Sequence, residues 1–183
     1  MEAATGIASG KFGEGAEPIE SMEWLREFGE RYLAAWNALD PDGVAGCVSE
    51  DVVWIDPALP EPAHGRQGVA DFVRESAVAF PDLSFSLLGE PGIAEDFRAA
   101  YVPWLMTGTN TGPIDPPGFA ATGKRLEVRG FDVWQFRDRL IWRYEAIYDF
   151  TALARQLGLM PPRGGFAEKA MVRAQRLRSK LPG

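Results

Sequence analysis

The order in which two hydrophobic periodicities follow each other constrains the fold of this chain most. Apolar residues recur at helical spacing in three segments before residue 81, and β-rich segments dominate from residue 83 to residue 150. Helices followed by consecutive strands joined by hairpins are typical of the α+β class with a mainly antiparallel sheet. The order therefore predicts a cone: a strongly curved sheet, closed at one end by the N-terminal helices, around an apolar pocket.

Three helices are predicted before residue 82. The first covers residues 22–39, where one face carries Leu25, Phe28, Tyr32, Trp36 and Leu39. Asp40-Pro41 ends it and opens a short second helix, because proline is favoured in a first helical turn. The third helix ends at Pro81 and has on its apolar face Val69, Phe72, Val73 and Ala77.

The predicted strands cover residues 52–56, 83–88, about 98–109, 124–137 and 139–150, and the last two form a hairpin that turns at Asp138. Pro103 cannot donate to a strand ladder, which predicts a bulge or an edge position there. Residues 57–65 and 110–123 are predicted loops. A short helix over residues 151–157 and a terminal helix over residues 166–181 complete the chain.

Length and charge divide the chain into three predicted parts. The 183 residues are enough for one domain, which we place at residues 21–162. Residues 1–20 have neither an apolar core nor a basic start, so we expect a flexible extension rather than a signal peptide. Residues 163–183 carry six basic residues and one acidic residue, a net charge of +5 within a total of −7, and predict a basic helix.

These features also exclude classes of partner and cofactor. An acidic body with a net charge of −12 argues against nucleic acid as the main ligand, and no apolar run approaches the ~18 residues that span a bilayer. The basic tail could contact RNA or an anionic membrane, but a solvated helix is favoured. Cys47 and His64 are the only cysteine and histidine, so a disulfide and a zinc site are not expected, and a reducing cytoplasm fits. We expect no cofactor.

Several short segments, each weak alone, occur in an order that is known from one superfamily. They are Arg31–Asn37, Ser49–Pro57, Gly65–Gly68, Phe80–Leu83, Thr107–Gly112, Thr122–Lys124, Gly130–Asp132, Tyr148–Phe150 and Arg155–Gly158. Through them the chain, from about Glu30 to Pro162, resembles nuclear-transport-factor-2-like proteins, and within these the SnoaL-like polyketide cyclases and the ketosteroid isomerases. The resemblance implies the cone fold and a homodimer formed through the sheet. It does not fix an activity, because members include enzymes and non-catalytic binders.

The resemblance to the ketosteroid isomerases implies a catalytic set of Tyr32, Asp56 and Asp132. Asp56 matches the general base, and Tyr32 and Asp132 match the two donors to the substrate's oxygen. Removal of a proton α to a ketone needs a base and leaves negative charge on the carbonyl oxygen, which preorganised donors stabilise. A carboxyl group in an apolar pocket can remain protonated and donate a hydrogen bond.

Each of these residues also has an interpretation without catalysis. Tyr32 could be a core residue, because it lies between Phe28 and Trp36 on an apolar helix face. Asp56 could cap a turn before Pro57. Asp132 shares a strand face with aromatic residues, which is hard to explain as solvated surface.

Further residues are candidates for substrate binding, namely Trp54, Trp104, Asn110, Trp134 and Tyr144, and Met106, Trp142 and Tyr148 are possible pocket walls. Asn110 lies where many SnoaL-like relatives carry histidine, so it could donate a hydrogen bond but could not shuttle a proton. Ala146 lies where related limonene-epoxide hydrolases carry an aspartate, which argues against epoxide hydrolysis. His64, in a predicted loop near the pocket mouth, is a weaker candidate.

The sequence thus favours a cofactor-free isomerase or cyclase that acts on a hydrophobic cyclic ketone by proton abstraction and enolate stabilisation. A non-catalytic protein that binds a hydrophobic small molecule is the main alternative. A third possibility is a structural role in which the basic terminal helix docks on another protein.

Overall fold

The computed structural model describes residues 14–179, which form five helices and seven strands. The helices are α1 (Met22–Asn37), α2 (Pro41–Ala45), α3 (Gly65–Ala79), α4 (Phe150–Leu157) and α5 (Phe166–Arg178). The strands are β1 (Val48–Ile55), β2 (Ala63–His64), β3 (Ser84–Leu87), β4 (Gly92–Ile93), β5 (Ala100–Thr109), β6 (Arg125–Arg137) and β7 (Leu140–Tyr148). The predicted α+β class is confirmed.

The strands form one curved sheet that does not close on itself, in the order β2-β1-β7-β6-β5-β3, and β4 also pairs with β5. All pairs are antiparallel except β1 with β7, which run parallel. Register shifts interrupt the ladder at Gln135/Phe136 and between Val48 and Val53. Such irregularities bend strands and increase their twist, which helps the sheet to wrap around its apolar contents.

Helix α1 lies against the concave face of the sheet. The Ser21 hydroxyl caps its first turn by accepting a hydrogen bond from the Trp24 amide at 3.1 Å. At the other end, the Asn37 side chain donates to the Phe85 carbonyl at 3.0 Å and accepts from the Phe85 amide at 2.7 Å. The predicted helix is confirmed, but it ends at Asn37, and Leu39 has a left-handed backbone with φ of 50°.

The hairpin of β6 and β7 carries much of the concave face. Asp138 and Arg139 have φ of 51° and 61°, as a two-residue type I′ turn requires. The predicted turn at Asp138 is therefore confirmed. The register of the β6–β7 hairpin pairs Asp132 with Ala146 and Trp134 with Tyr144, and all four side chains are buried.

Pro103 occupies a gap in the pairing of β5. Strand β3 pairs with residues 104–107 and β4 pairs with residues 100–101, so Pro103 has no ladder partner on that side. Its carbonyl accepts a hydrogen bond from the Leu88 amide, so its ring nitrogen also faces this edge. A missing N–H costs nothing there, which agrees with the predicted edge position.

The last part of the predicted flexible extension is packed, which corrects that expectation for residues 14–20. Ala16 and Ile19 are buried, and the amides of Glu17 and Ile19 donate to the carbonyls of Phe136 and Phe97 at 2.8 and 2.7 Å. Two apolar side chains and two backbone hydrogen bonds thus hold this segment on the domain. Residues 1–13 lie outside the described residues.

The predicted basic terminal helix begins at Phe166 as expected and ends at Arg178, while residues 180–183 lie outside the described part. No residue of α5 is buried, and Glu168 on it forms an ion pair with Arg155 at 3.6 Å. Among residues 14–179, no helix has both the length and the apolar character needed to cross a bilayer.

Gly130 on β6 allows an aromatic side chain to lie across the strand. It pairs with Trp104, whose indole ring covers the glycine. A Cβ atom at Gly130 would stand 2.6 Å from the Trp104 ring and 2.7 Å from the Ile147 carbonyl oxygen. Neither distance is tolerable, so the position of the Trp104 indole depends on the absence of a side chain at residue 130.

We predict that Gly130→Ala destabilises the fold by about 1–3 kcal/mol, because the added methyl group overpacks a filled space. Urea unfolding would give the change in free energy, and near-ultraviolet circular dichroism would report the displaced indole. Gly92→Ala on β4 is the matched control, because its Cβ would meet no atom closer than 4.0 Å. Equal stability of both variants would contradict the packing argument.

Candidate active site

A largely apolar cavity lies on the concave face of the sheet, bounded by α3, α4 and the loop between β5 and β6. Its volume is about 150 Å³, and a dry apolar cavity of about this size holds a ring the size of benzene. Its aromatic walls are Trp36, Phe72, Phe80, Phe85, Trp104, Phe119, Tyr144, Tyr148 and Phe150. Three carboxylates, Asp56, Glu75 and Asp115, also line it.

Asp56 lies at the end of β1, where the strand delivers its side chain to the cavity wall. Its Oδ1 atom accepts hydrogen bonds from the Ala58 amide at 2.8 Å and from the Tyr148 hydroxyl at 2.7 Å. No group among the described residues donates to Oδ2. Burial raises the pKa of Asp56, and the hydrogen bonds from Ala58 and Tyr148 oppose this shift. Asp56 is thus a stronger base than a solvated aspartate, with one oxygen free to act.

Asp132 lies deeper, in the middle of β6, and is only 3% exposed. Its Oδ1 accepts hydrogen bonds from Trp104 Nε1 at 2.6 Å and from the Tyr144 hydroxyl at 2.8 Å. Its Oδ2 accepts a longer bond from Trp134 Nε1 at 3.3 Å. Burial raises the pKa of Asp132 to about 7, against the effect of the bonds from Trp104 and Tyr144.

Tyr32 reaches the same region from α1. Its hydroxyl is buried and has no hydrogen-bond partner among the described residues. Burial, followed by the nearby Asp132 carboxylate, holds the pKa of Tyr32 well above its usual value. An unpaired buried hydroxyl costs about 1–3 kcal/mol, so an incoming oxygen atom that accepts a hydrogen bond from it would recover that energy.

Tyr32 and Asp132 line a second, smaller cavity of about 20 Å³, which is large enough for one water molecule or one substrate oxygen. Both cavities share the walls Trp36, Phe85, Trp104 and Tyr144. The predicted catalytic residues therefore fall into two adjoining spaces. Asp56 lines the larger one, and Tyr32 and Asp132 line the smaller one behind the shared walls.

The predicted substrate-binding residues divide in the same way. Trp104 and Tyr144 line both cavities, and Trp134 lines only the smaller one. Trp54 lines neither cavity, because it is stacked behind Tyr144 with 3.5 Å between the ring centroids. Trp142 also lies away from both cavities, where the Arg137 guanidinium covers its ring at 4.1 Å.

Asn110, expected to bind substrate, has a structural role instead. The residue is fully buried and does not line either cavity. Its side-chain amide donates to the carbonyls of Ala79 and Gly112 at 3.2 and 2.8 Å. Its side-chain oxygen accepts from the amide and hydroxyl of Thr122 at 2.8 and 3.1 Å. Asn110 thus clamps the base of the loop between β5 and β6.

Two other positions discussed from the sequence, the candidate His64 and the substituted position Ala146, also lie outside the cavities. His64 is exposed at the start of α3 and pairs with Val53 on β1. Ala146 is buried opposite Asp132, so the inward position that could have carried a second carboxylate on β7 holds only a methyl group.

Part of the cavity wall that was not predicted from the sequence comes from the C-terminal side of the domain. Phe150, Leu153 and Leu157 on α4 line the larger cavity, as does Leu159 after it. Their signal is the amphipathic pattern of a short helix that follows directly after Tyr148. The loop residues Ile114 and Phe119 close the opposite side, and nothing in their local sequence indicates an inward orientation.

The curved sheet, the helices on its concave face and the polar groups in an apolar cavity define a protein of the nuclear-transport-factor-2-like superfamily. The SnoaL-like domain model matches residues 29–144, which is more than half of the chain. The protein therefore belongs to the SnoaL-like domain family.

Solved structures agree with this assignment. TsrD from Streptomyces laurentii is 27% identical, with a TM-score of 0.65 over 78% of this chain and all of that chain. A protein from Jannaschia sp. CCS1, assigned to the SnoaL-like polyketide cyclases, is 15% identical, with a TM-score of 0.66 over 80% of this chain and all of that one. The epoxide hydrolase/cyclase-like enzyme SalBIII of salinomycin pyran-ring formation is 17% identical, with a TM-score of 0.59 over 73% of this chain and 96% of that one. None of the curated proteins compared with the chain matches it.

We predict that Asp132 makes the stability of the protein fall as pH rises. An unfolded aspartate has a pKa of about 3.9, whereas burial raises the folded value to about 7, so the folded state binds the proton more tightly. The stabilisation by protonated Asp132 is fully present below the pKa that Asp132 has in the unfolded state. It is lost as pH rises through the pKa that Asp132 has in the folded state. Between pH 5 and pH 8 this loss is about 2–3 kcal/mol.

Urea unfolding of the wild type and of Asp132→Asn at several pH values would measure this contribution. The difference between the two proteins isolates Asp132, because the other titrating groups are common to both. A difference in unfolding free energy that stays constant from pH 5 to pH 8 would show that Asp132 is already ionised throughout this range.

Proposed function

We propose that this protein is a cofactor-free enzyme that acts on a hydrophobic cyclic ketone through an enolate, as an isomerase or a cyclase. The observation that carries the proposal is the Asp56 carboxylate, which stands in the wall of a largely apolar cavity with Oδ2 unpaired. A carboxylate in such a site is a general base whose strength burial increases.

The chemistry follows from the positions of the polar groups. With the substrate ring in the larger cavity, Asp56 Oδ2 removes a proton from the carbon next to the carbonyl. The electron pair of the broken C–H bond moves onto the carbonyl oxygen, which enters the smaller cavity beside Tyr32 and protonated Asp132. Donors that are already in place stabilise this negative charge without reorganisation.

Two outcomes are possible from the enolate. In isomerisation, the Asp56 carboxylic acid returns its proton to a different carbon of the same conjugated system. In cyclisation, the enolate carbon attacks a second carbonyl group of the substrate, and the new alkoxide takes the proton from Asp56. Both cycles leave Asp56 ionised and need no cofactor, and both agree with the activities that the SnoaL-like family suggests.

Binding without catalysis remains the alternative function, and one observation favours it. The hydroxyls of Tyr144 and Tyr148 and the indole of Trp104 are all engaged with carboxylates, so none of these donors is free in the larger cavity. In that case the cavity holds a hydrophobic molecule, and Asp132 only orients it.

Deuterium exchange at the α-carbon of model cyclic ketones such as 2-tetralone tests the proposal. We expect exchange faster than in buffer and a loss of about 10²–10⁴-fold in Asp56→Asn, which removes the base. Asp51→Asn is the matched control, because that aspartate lies on β1 with its side chain 64% exposed. Exchange at the buffer rate, with ketone affinity equal in wild type and Asp56→Asn, would instead establish the binding protein.

The outer face of the sheet supports a homodimer, as the family resemblance implies. Tyr101 and Ile147 are 37% and 41% exposed there, and the Phe131 ring lies 6.4 Å from that of Tyr101. Neighbouring apolar side chains on an open sheet face are typical of a surface that pairs with a second copy.

We expect a dimer in sedimentation equilibrium at micromolar concentration, and a monomer for Ile147→Lys, because a buried lysine without a partner opposes association. Val78→Lys is the control, since Val78 is an exposed apolar residue on α3. A wild-type monomer, or a dimer that Ile147→Lys leaves intact, would exclude this interface.

A further inference from the structure

The three partners of Asp132 differ in what they can do with a proton. The indole nitrogens of Trp104 and Trp134 can only donate hydrogen bonds, whereas the hydroxyl of Tyr144 can donate or accept. When Asp132 is ionised it can only accept, so all three donate to it, over 2.6, 2.8 and 3.3 Å from Trp104, Tyr144 and Trp134. When Asp132 is protonated, Tyr144 is the only one of the three that can accept its hydrogen.

We propose that protonation of Asp132 reverses the Tyr144–Asp132 hydrogen bond, and that the released Tyr144 hydroxyl then donates to the enolate oxygen of the substrate. This inference rests on the proposed function, because it names the group that completes the site for the developing negative charge. Tyr144 thereby becomes the catalytic residue that donates to the oxygen in place of Asp132, and Asp132 acts through it as a positioning residue.

Tyr144 is well placed for this task. It lines both cavities, so it stands between the space proposed for the substrate ring and the space proposed for the carbonyl oxygen. The Trp54 ring is stacked on it at an angle of 9°, which holds its orientation. Burial, followed by the charge of Asp132, keeps the pKa of Tyr144 well above its usual value, so the phenol keeps its hydrogen at neutral pH.

Burial and the charge of Asp56 favour the protonated form of Asp132, whereas the hydrogen bonds from Trp104, Tyr144 and Trp134 favour the ionised form. Tyr32 faces it from α1, Asp56 from the end of β1, and Tyr144 and Tyr148 from β7. The negative charge of Asp56 adds to the effect of burial in raising the pKa of Asp132 to about 7. A second negative charge in the site would oppose the enolate as well, so the ionised form of Asp132 is the inactive one.

The step needs no reagent beyond these groups. Asp132 donates its hydrogen to the Tyr144 oxygen, and the Tyr144 hydroxyl hydrogen turns from Asp132 Oδ1 to the substrate oxygen. No covalent bond to either residue forms or breaks. The α-proton moves only between the substrate and Asp56, so the hydrogen-bonded pair returns unchanged after each turnover.

Nuclear magnetic resonance of protein labelled with ¹³Cζ-tyrosine tests the reversal without any substrate. The Tyr144 signal, assigned by its absence in Tyr144→Phe, is expected to titrate with a midpoint near pH 7, where Asp132 changes its charge. In Asp132→Asn this titration is expected to vanish. A Tyr144 signal that does not change between pH 5 and pH 9, or that titrates equally in Asp132→Asn, would overturn the inference.

Kinetics test the catalytic part. We expect kcat for ketone exchange to fall about 10²–10³-fold in Tyr144→Phe with KM changed little, as for the loss of one donor to an oxyanion. Tyr101→Phe, which removes a hydroxyl from the outer face of the sheet, is the matched control. The wild-type rate is expected to fall above pH 7 as Asp132 ionises, and this alkaline decline is expected to be absent in Asp132→Asn.

The outcomes separate this inference from the proposed function. Exchange that depends on Asp56 but is unaffected by Tyr144→Phe would overturn the role of Tyr144 and leave the enolate mechanism in place. No exchange at any pH would overturn both the enolate mechanism and the catalytic role of Tyr144. A Tyr144 signal that does not titrate would overturn the hydrogen-bond reversal whatever the exchange rates are.

Discussion

The hydrogen bonds to one buried carboxyl group organise the centre of this protein. Asp132 is held by Trp104 from β5, by Trp134 from its own strand β6 and by Tyr144 from β7. An unpaired carboxylate in such an apolar interior would be very costly, so the three donors must be in place when the charge is present. In turn, these bonds orient three aromatic side chains that form cavity walls. Removal of the carboxyl group would therefore affect stability, shape and chemistry together.

Much of the fold could be predicted from the sequence, because helices, turns and strand edges depend on the spacing and backbone preferences of neighbouring residues. The helical face of α1, the turn at Asp138 and the gap around Pro103 each have a local cause in side-chain spacing or backbone preference. The end of α1 was misplaced by two residues, since the Asn37 side chain bonds to Phe85, 48 residues later. The packing of Ala16 and Ile19 on the sheet was missed for the same reason.

The site was less predictable, because it depends on which side chains meet across strands. The sequence indicated Asp56 and Asp132 as buried or cavity-lining carboxylates, but not that a shared wall separates them. Trp54 and Trp104 both lie within predicted β-strands and both were expected to bind substrate. In the structure, Trp54 is stacked behind Tyr144, whereas Trp104 forms part of the cavity wall. Asn110 shows a different error, since the resemblance implied a substrate-binding group at this position, whereas its side chain holds the base of a loop. The family model ends at residue 144, before Tyr148 and the α4 residues that complete the cavity.

The clamp formed by Asn110 has a consequence for the size of molecules that can reach the cavity. Four hydrogen bonds join Asn110 to the far end of the loop that carries Ile114 and Phe119: two run from Thr122 to the Asn110 side-chain oxygen, and two link the Asn110 backbone to the backbones of Gly123 and Lys124. The neck of the loop opens only when they break together. At about 1 kcal/mol each, they amount to a barrier on the order of 4 kcal/mol, or roughly a thousandfold in rate. For the proposed hydrophobic ligand, we expect this barrier to slow the entry and the departure of molecules too bulky to pass the closed loop. The loop would then select by size through the rate of passage rather than through affinity.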